Sequence, residues 1–282
     1  MNAPNFPLNP MVGQRWQQWV WNGARWVCSP ATGVQVIRQV FKASGTYMPS
    51  PGLVTAFVTC LGGGGGGGLC VGAGATFAGS GGGGGSGGLS SVYLPASLVL
   101  GGVVVTVGAG GAGGVAPTTA ATPGGATSFG GLCIGNGGTQ ANGLHDGAQG
   151  MGDGGAGAPV GVGDVTFPGS AGESGMITGN TSASSFTHSA AGGQIFGGNG
   201  RGPNFGAGGI LNGWNGAAST GCGGGGGAYN QTTATANGGA GGSGVCFVTE
   251  YCWADVVPGQ DCGCPPGSGS ARMPLGFDEF GP

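Results

Sequence analysis

His145 and Asp146 stand side by side, the closest approach this sequence makes to a proton-transfer pair. They sit in a polar loop, where solvated surface residues are the ordinary reading. The other histidine is His188, and no serine occupies a G-x-S-x-G elbow, so no nucleophilic triad is signalled. The single lysine, Lys42, follows Phe41 instead of a glycine loop, which excludes a P-loop. Repeated G-x-G-x-x-G matches follow from glycine content alone. Asp153, Asp164 and Glu173 are the acids available to a paired-carboxylate hydrolase, but the chain is poor in acids. No catalytic residue and no cofactor are expected, and the chain does not read as an enzyme.

Nine cysteines invite a metal or disulfide reading. Cys262-Gly263-Cys264 is the one close pair, and it lacks the spacing and histidine partner of a zinc site. Disulfides are the better reading and no metal is expected. The number is odd, so at least one thiol is left over or pairs between chains. Cys262 and Cys264 cannot join each other without strain. Cys28, Cys252, Cys262 and Cys264 are therefore the candidates for cross-links to neighbouring subunits.

The elements that must carry these residues are dominated by glycine, 77 of 282 residues, several times the usual share of about 7%. Six basic and nine acidic residues make up the whole charged complement. Four of the basic ones, Arg15, Arg25, Arg38 and Lys42, fall in residues 1–42 among tryptophans, but no basic stripe follows and nucleic acid is not an expected partner. The amino terminus has no basic start and no apolar core of a signal peptide. Cysteines without a leader fit a protein made in a host cytoplasm and later exposed to oxidising surroundings. No apolar run approaches the roughly 20 residues that span a bilayer.

Three regions are expected. Residues 1–33 form a Trp- and Pro-rich module in which Arg15–Val27 reads as two strands around Asn22-Gly23, a hairpin signal. A hairpin alone is marginal in water, so Trp16, Trp19, Trp21 and Trp26 are candidates to dock the module on a particle. Residues 34–251 form the body. Strands are expected at 34–41, 53–61, 98–107 and 244–251, and glycine tracts lie between them. Residues 252–282 read as an irregular Cys- and Pro-rich tail. No segment has the pattern of a helix.

Within the body, roughly 62–244, the tracts have no sustained Gly-X-Y register, so collagen is excluded. A flexible linker is the simplest reading of the composition. Strands on both sides of the tracts, and recurring Phe, Ile and Trp inside them, argue instead for a folded body. Glycine loses more backbone entropy on ordering than any other residue, and its missing side chain cannot offset that by burial. Backbone hydrogen bonds must do so. Extended polyproline II helices without side chains can lie together and exchange amide bonds along their length. The expected fold is all-β with polyglycine II helices, a sandwich-like body with little or no α-helix.

Three blocks in this order resemble a glycine-rich domain of tailed-bacteriophage tail fibres and adhesins: Gly45-Thr46-Tyr47-Met48-Pro49-Ser50-Pro51-Gly52, then Val105–Gly114 with Gly124–Gly130, then Gly238–Gly244 into Val245–Tyr251. Residues 4–27 are similar to a short module near the termini of virion attachment proteins. The resemblance implies a virion structural protein on the particle surface. It would be a tail or neck fibre or adhesin that contacts the host, the alternative being a capsid-surface fibre or decoration protein without a receptor. It implies a homotrimer or other symmetric oligomer, partners among other virion proteins, and a host surface glycan or outer-membrane protein. A glycine-rich cell-wall protein is disfavoured by the absent leader. Phe196, Asn204, Phe205, Trp214 and Tyr229 are the receptor-binding candidates; the competing reading makes such aromatics spacers between glycine helices.

Overall fold

The computed structural model describes residues 11, 15–16, 19–21, 26–28, 34–71, 78–143, 150–178, 186–188, 204–205, 210–230 and 235–253. The chain divides into two compact units, Val36–Cys252, and Met1–Gln35 together with Trp253–Pro282. Among the described residues the structure is all-β; the only helical element is the single 3₁₀ turn Ala96–Leu98.

In the smaller unit the Trp-rich segment forms a three-stranded antiparallel sheet of Arg15–Trp16, Trp19–Trp21 and Trp26–Cys28. Trp21 lies opposite Trp26, Val20 opposite Val27 and Trp19 opposite Cys28; a two-residue turn at Asn22-Gly23 would instead pair Trp21 with Ala24. The first expected strand is in fact two, Arg15–Trp16 and Trp19–Trp21, paired antiparallel with Trp16 opposite Trp19.

The body begins as a sandwich of two sheets. The larger has strand order Val165–Phe167, Leu89–Pro95, Leu53–Leu61, Val245–Trp253, Val34–Phe41. The smaller has order Cys133–Gly135, Thr127–Phe129, Val103–Thr106, Gly45–Tyr47. Alternation along Leu53–Leu61 buries Ala56, Val58 and Cys60, and along the last strand Cys246 and Val248. Their faces meet Tyr47, Val103, Val105, Phe129 and Cys133 of the other sheet in one apolar core. Tyr47 and Phe129 rings pack 5.2 Å apart, tilted by 56°. The expected strand at 98–107 is shorter, Val103–Thr106: a turn precedes it, and Gly102 has φ +80, which no side chain favours.

From one end of this sandwich the chain runs out and back in glycine-rich extended segments. Gly62–Gly68 is the axis. Gly62, Gly65 and Gly68 donate their amides to Gly88, Gly85 and Gly82; Gly63 and Gly66 donate to Gly125 and Thr122; Gly64 and Gly67 donate to Gly242 and Gly239. The carbonyls of Gly63 and Gly66 accept from Gly138 and Ala141, those of Gly64 and Gly67 from Gly111 and Gly114, and those of Gly65 and Gly68 from Gly224 and Gly227. Successive residues thus address different neighbours and the third returns to the first, the threefold repeat of a polyproline II helix. Six segments surround the axis and bond one another in a closed ring, in the order 108–114, 121–125, 136–142, 81–88, 221–227, 238–244. Segments 152–158, 169–175 and 213–217 add to the outside.

None of Gly62–Gly68 has positive φ. Glycine is required there for space: a Cβ on any of the seven would fall 1.9–2.2 Å from a backbone carbonyl oxygen of a neighbouring segment. Outer segments need glycine on their contact row alone, as at Gly169, Gly172 and Gly175, whose amides bond Ala158, Gly155 and Gly152. The lack of a continuous Gly-X-Y register follows from this, since the demand for glycine depends on position in the lattice.

Candidate functional site

The lattice has two ends. Segments leave the sandwich at Leu61, Leu89, Gly135, Phe167 and Val245. At the far end the same segments run into short strands. Ala78–Ser80, Gly150–Met151, Ala228–Asn230 and Ile210–Leu211 form one sheet, in which Gly79 lies between Gly150 and Tyr229. Met176–Thr178, Phe186–His188 and Asn204–Phe205 form a second, and the two sheets pack against each other.

Most of the receptor candidates gather at this far end. Asn204 and Phe205 pair with His188 and Thr187. Tyr229 pairs with Ile210 and Gly79. Trp214 belongs to the outer segment 213–217 and is 59% exposed, so it is no spacer between glycine helices. Phe196 lies outside the described residues, as do His145, Asp146, Cys262 and Cys264. Trp16, Trp19, Trp21, Trp26 and Cys28 occupy the small unit's sheet. Cys252 is buried at 1% exposure in the last strand of the sandwich.

Two polar arrangements were not read from the sequence. Asn212 and Asn215 each turn a side-chain oxygen onto a lattice amide, those of Asn237 and Ala240, at 2.9 and 2.8 Å. Spaced by three, they replace carbonyls that a further glycine segment would supply. The second is Glu250, fully buried in the sandwich. It accepts from the Tyr47 hydroxyl at 2.6 Å, the Ser50 amide at 3.0 Å and the Ser50 hydroxyl at 2.6 Å. Burial pushes its carboxyl up, but the hydrogen bonds from Ser50 and Tyr47 outweigh that and hold it below the ordinary value. Burial and the same carboxylate push the Tyr47 phenol well above its usual range. The Tyr and Ser of the opening block therefore tie the first part of the body to its last strand.

The six cysteines Cys60, Cys70, Cys133, Cys222, Cys246 and Cys252 of the body are all buried. Cys60 and Cys246 are opposite one another on adjacent strands with sulfurs 3.7 Å apart, and the Cys133 thiol reaches the Ser90 carbonyl at 3.2 Å. Hydrogen bonds to Cys133 and Cys246, with burial, push the Cys60 thiol up strongly; burial pushes Cys70 up to about 12. Buried thiols held protonated are poor nucleophiles.

An all-β body built on a glycine lattice, with strands at both ends, is the class this architecture defines. The profile of the glycine-rich domain family matches residues 42–251, and the chain belongs to that family. No curated protein matches the sequence.

Proposed function

We propose that the protein is a structural component of a bacteriophage virion, a tail or neck fibre or adhesin that projects from the particle and meets the host surface. The observation that carries this reading is the separation the lattice imposes. Seven axial residues at about 3.1 Å each hold the two ends roughly 20 Å apart, with each axial amide bonded to a neighbouring segment. A stiff spacer with a separate group of short strands at its far end suits contact with a large surface better than it suits turnover of a small substrate. In this reading the Trp-rich sheet docks on other virion proteins, copies of the chain associate, and Phe196, Asn204, Phe205, Trp214 and Tyr229 present rings and amides to a host glycan or outer-membrane protein. Sugar rings stack on aromatic faces through their C–H groups, and exposed Trp214 is available for that.

Competition tests it. Soluble full-length protein should block phage adsorption to host cells, and Phe205→Ala with Trp214→Ala should relieve the block at unchanged melting temperature. No competition at saturating protein, with antibody labelling found on the capsid, would favour a decoration protein and refute the adhesin.

A further inference from the structure

The outer face of the larger sheet differs from that of the smaller sheet of the sandwich. Directly paired residues of antiparallel strands share a face. Phe57 pairs with Tyr93 and Thr249, Thr59 with Ser91 and Phe247, and Thr55 with Pro95 and Tyr251. Because Val58 and Cys60 point into the core, these residues point outward. Val165 and Phe167 extend the face through Ser91 and Leu89. At the opposite edge Phe41 packs on the core, which turns Val36, Arg38 and Val40 outward. Tyr93 is 59% exposed, Phe167 57% and Phe247 43%. The Phe57 and Tyr93 rings pack at its centre, 4.5 Å apart and tilted by 37°. The smaller sheet is ordinary by contrast: its outer face presents Thr46, Thr106 and Ser128 around Val104 and Ile134.

We propose that this aromatic face pairs with the same face of a second copy of the chain about a two-fold axis parallel to its strands. The proposal gives a place to the self-association in the function proposed above, and rests on that part of it. Charge selects the occupant. Apart from its two edges the face carries no charge, so no charged partner is matched by it. Arg38 lies on one edge strand and Asp164 immediately before the other, where its carboxylate accepts the Tyr93 amide at 3.0 Å. A two-fold axis along the strands lays each edge over the opposite edge of the other copy, bringing Arg38 toward Asp164 twice. Size agrees. Five strands about 4.8 Å apart and some seven residues long give a flat footprint of about 500 Å². Two such faces would bury about 1,000 Å² together, the lower bound for a specific interface. Two sheets packed face to face at about 10 Å would repeat the sandwich's own construction.

The solution mass of the full chain, measured by light scattering on a sizing column, decides it. Wild type and the control Val104→Lys on the other sheet should run as two chains. Tyr93→Lys should run as one chain with an unchanged circular-dichroism spectrum, and Phe247→Lys should repeat that result from another strand of the same face. A wild-type mass of one or of three chains overturns the two-fold pair, and so does a two-chain mass that survives both lysine substitutions. Adsorption competition reads the far end of the lattice, so failure of the adhesin reading and failure of this pairing are separate results.

Discussion

Replacing Gly65 by alanine tests whether the lattice is held by backbone contact. Its Cβ would sit 2.0 Å from the Thr139 carbonyl oxygen, 2.4 Å from that carbonyl carbon and 2.8 Å from the Gln140 nitrogen. To reach van der Waals contact, segment 136–142 must retreat by roughly 1.5 Å. That retreat breaks the bonds from Gly138 to Gly63 and from Ala141 to Gly66, now 2.9 and 3.0 Å. Two bonds at a net of about 1 kcal/mol each, with overpacking strain of about 1–3 kcal/mol, give a loss of about 3–5 kcal/mol. The stiffer unfolded chain returns up to about 1 kcal/mol, because φ at this position suits alanine. The expected cost is about 3 kcal/mol, or roughly 6–12 °C in melting temperature for a body of this size. Gly101→Ala is the matched control, since a Cβ there meets nothing within 4 Å. Differential scanning calorimetry of both variants makes the comparison. Equal melting temperatures would refute close packing of the axial segment.

Three further outcomes follow from named contacts. Glu250 has its carboxyl depressed by folding, so it contributes stability above the unfolded value of about 4.3 that is lost as pH falls through the folded value. The melting temperature should therefore drop on acidification below about pH 4, and Glu250→Gln should flatten that drop while costing about 1–3 kcal/mol at neutral pH; an unchanged acid limb would show that Glu250 is not its source. Tyr47→Phe should cost about 1–3 kcal/mol in a denaturant titration, by removing one donor to a buried carboxylate. Asn212→Ala with Asn215→Ala should cost about 1–2 kcal/mol and speed hydrogen exchange at Asn237 and Ala240, leaving exchange at Gly67 unaltered.

Much of this fold is legible in the chain because strands carry a side-chain pattern. Leu53–Leu61 and the strand from Val245 stand out by apolar content, and the amide exchange of polyproline II glycine follows once burial is seen to be unable to order it. Adjacency of the segments is a different matter. Glycine has no side chain to select a neighbour, so nothing in Gly62–Gly68 announces that it, and not Gly223–Gly227, is the axis. Phe129 and Phe167 look alike in sequence, yet one is fully buried and the other 57% exposed, because the partner sheet covers only one of them. Glu250 reads as a surface acid until Tyr47 and Ser50, some 200 residues earlier, are brought to it. Asn212 and Asn215 read as turn residues, and their lattice role appears only with Asn237 and Ala240 in place. Phe205 and Tyr229 stand out in the sequence by residue type alone, and their place in the short strands beyond the glycine segments appears only in the fold.

Amide hydrogen exchange at Gly62–Gly68 tests the lattice most directly. If each of the seven amides is bonded to a neighbouring segment, as in the ladder here, all should exchange with Val58 and Val248 of the sandwich core, near the free energy of global unfolding. Exchange of these glycines at the rate of an open chain, with the sandwich still protected, would contradict the lattice and return the tract to a linker.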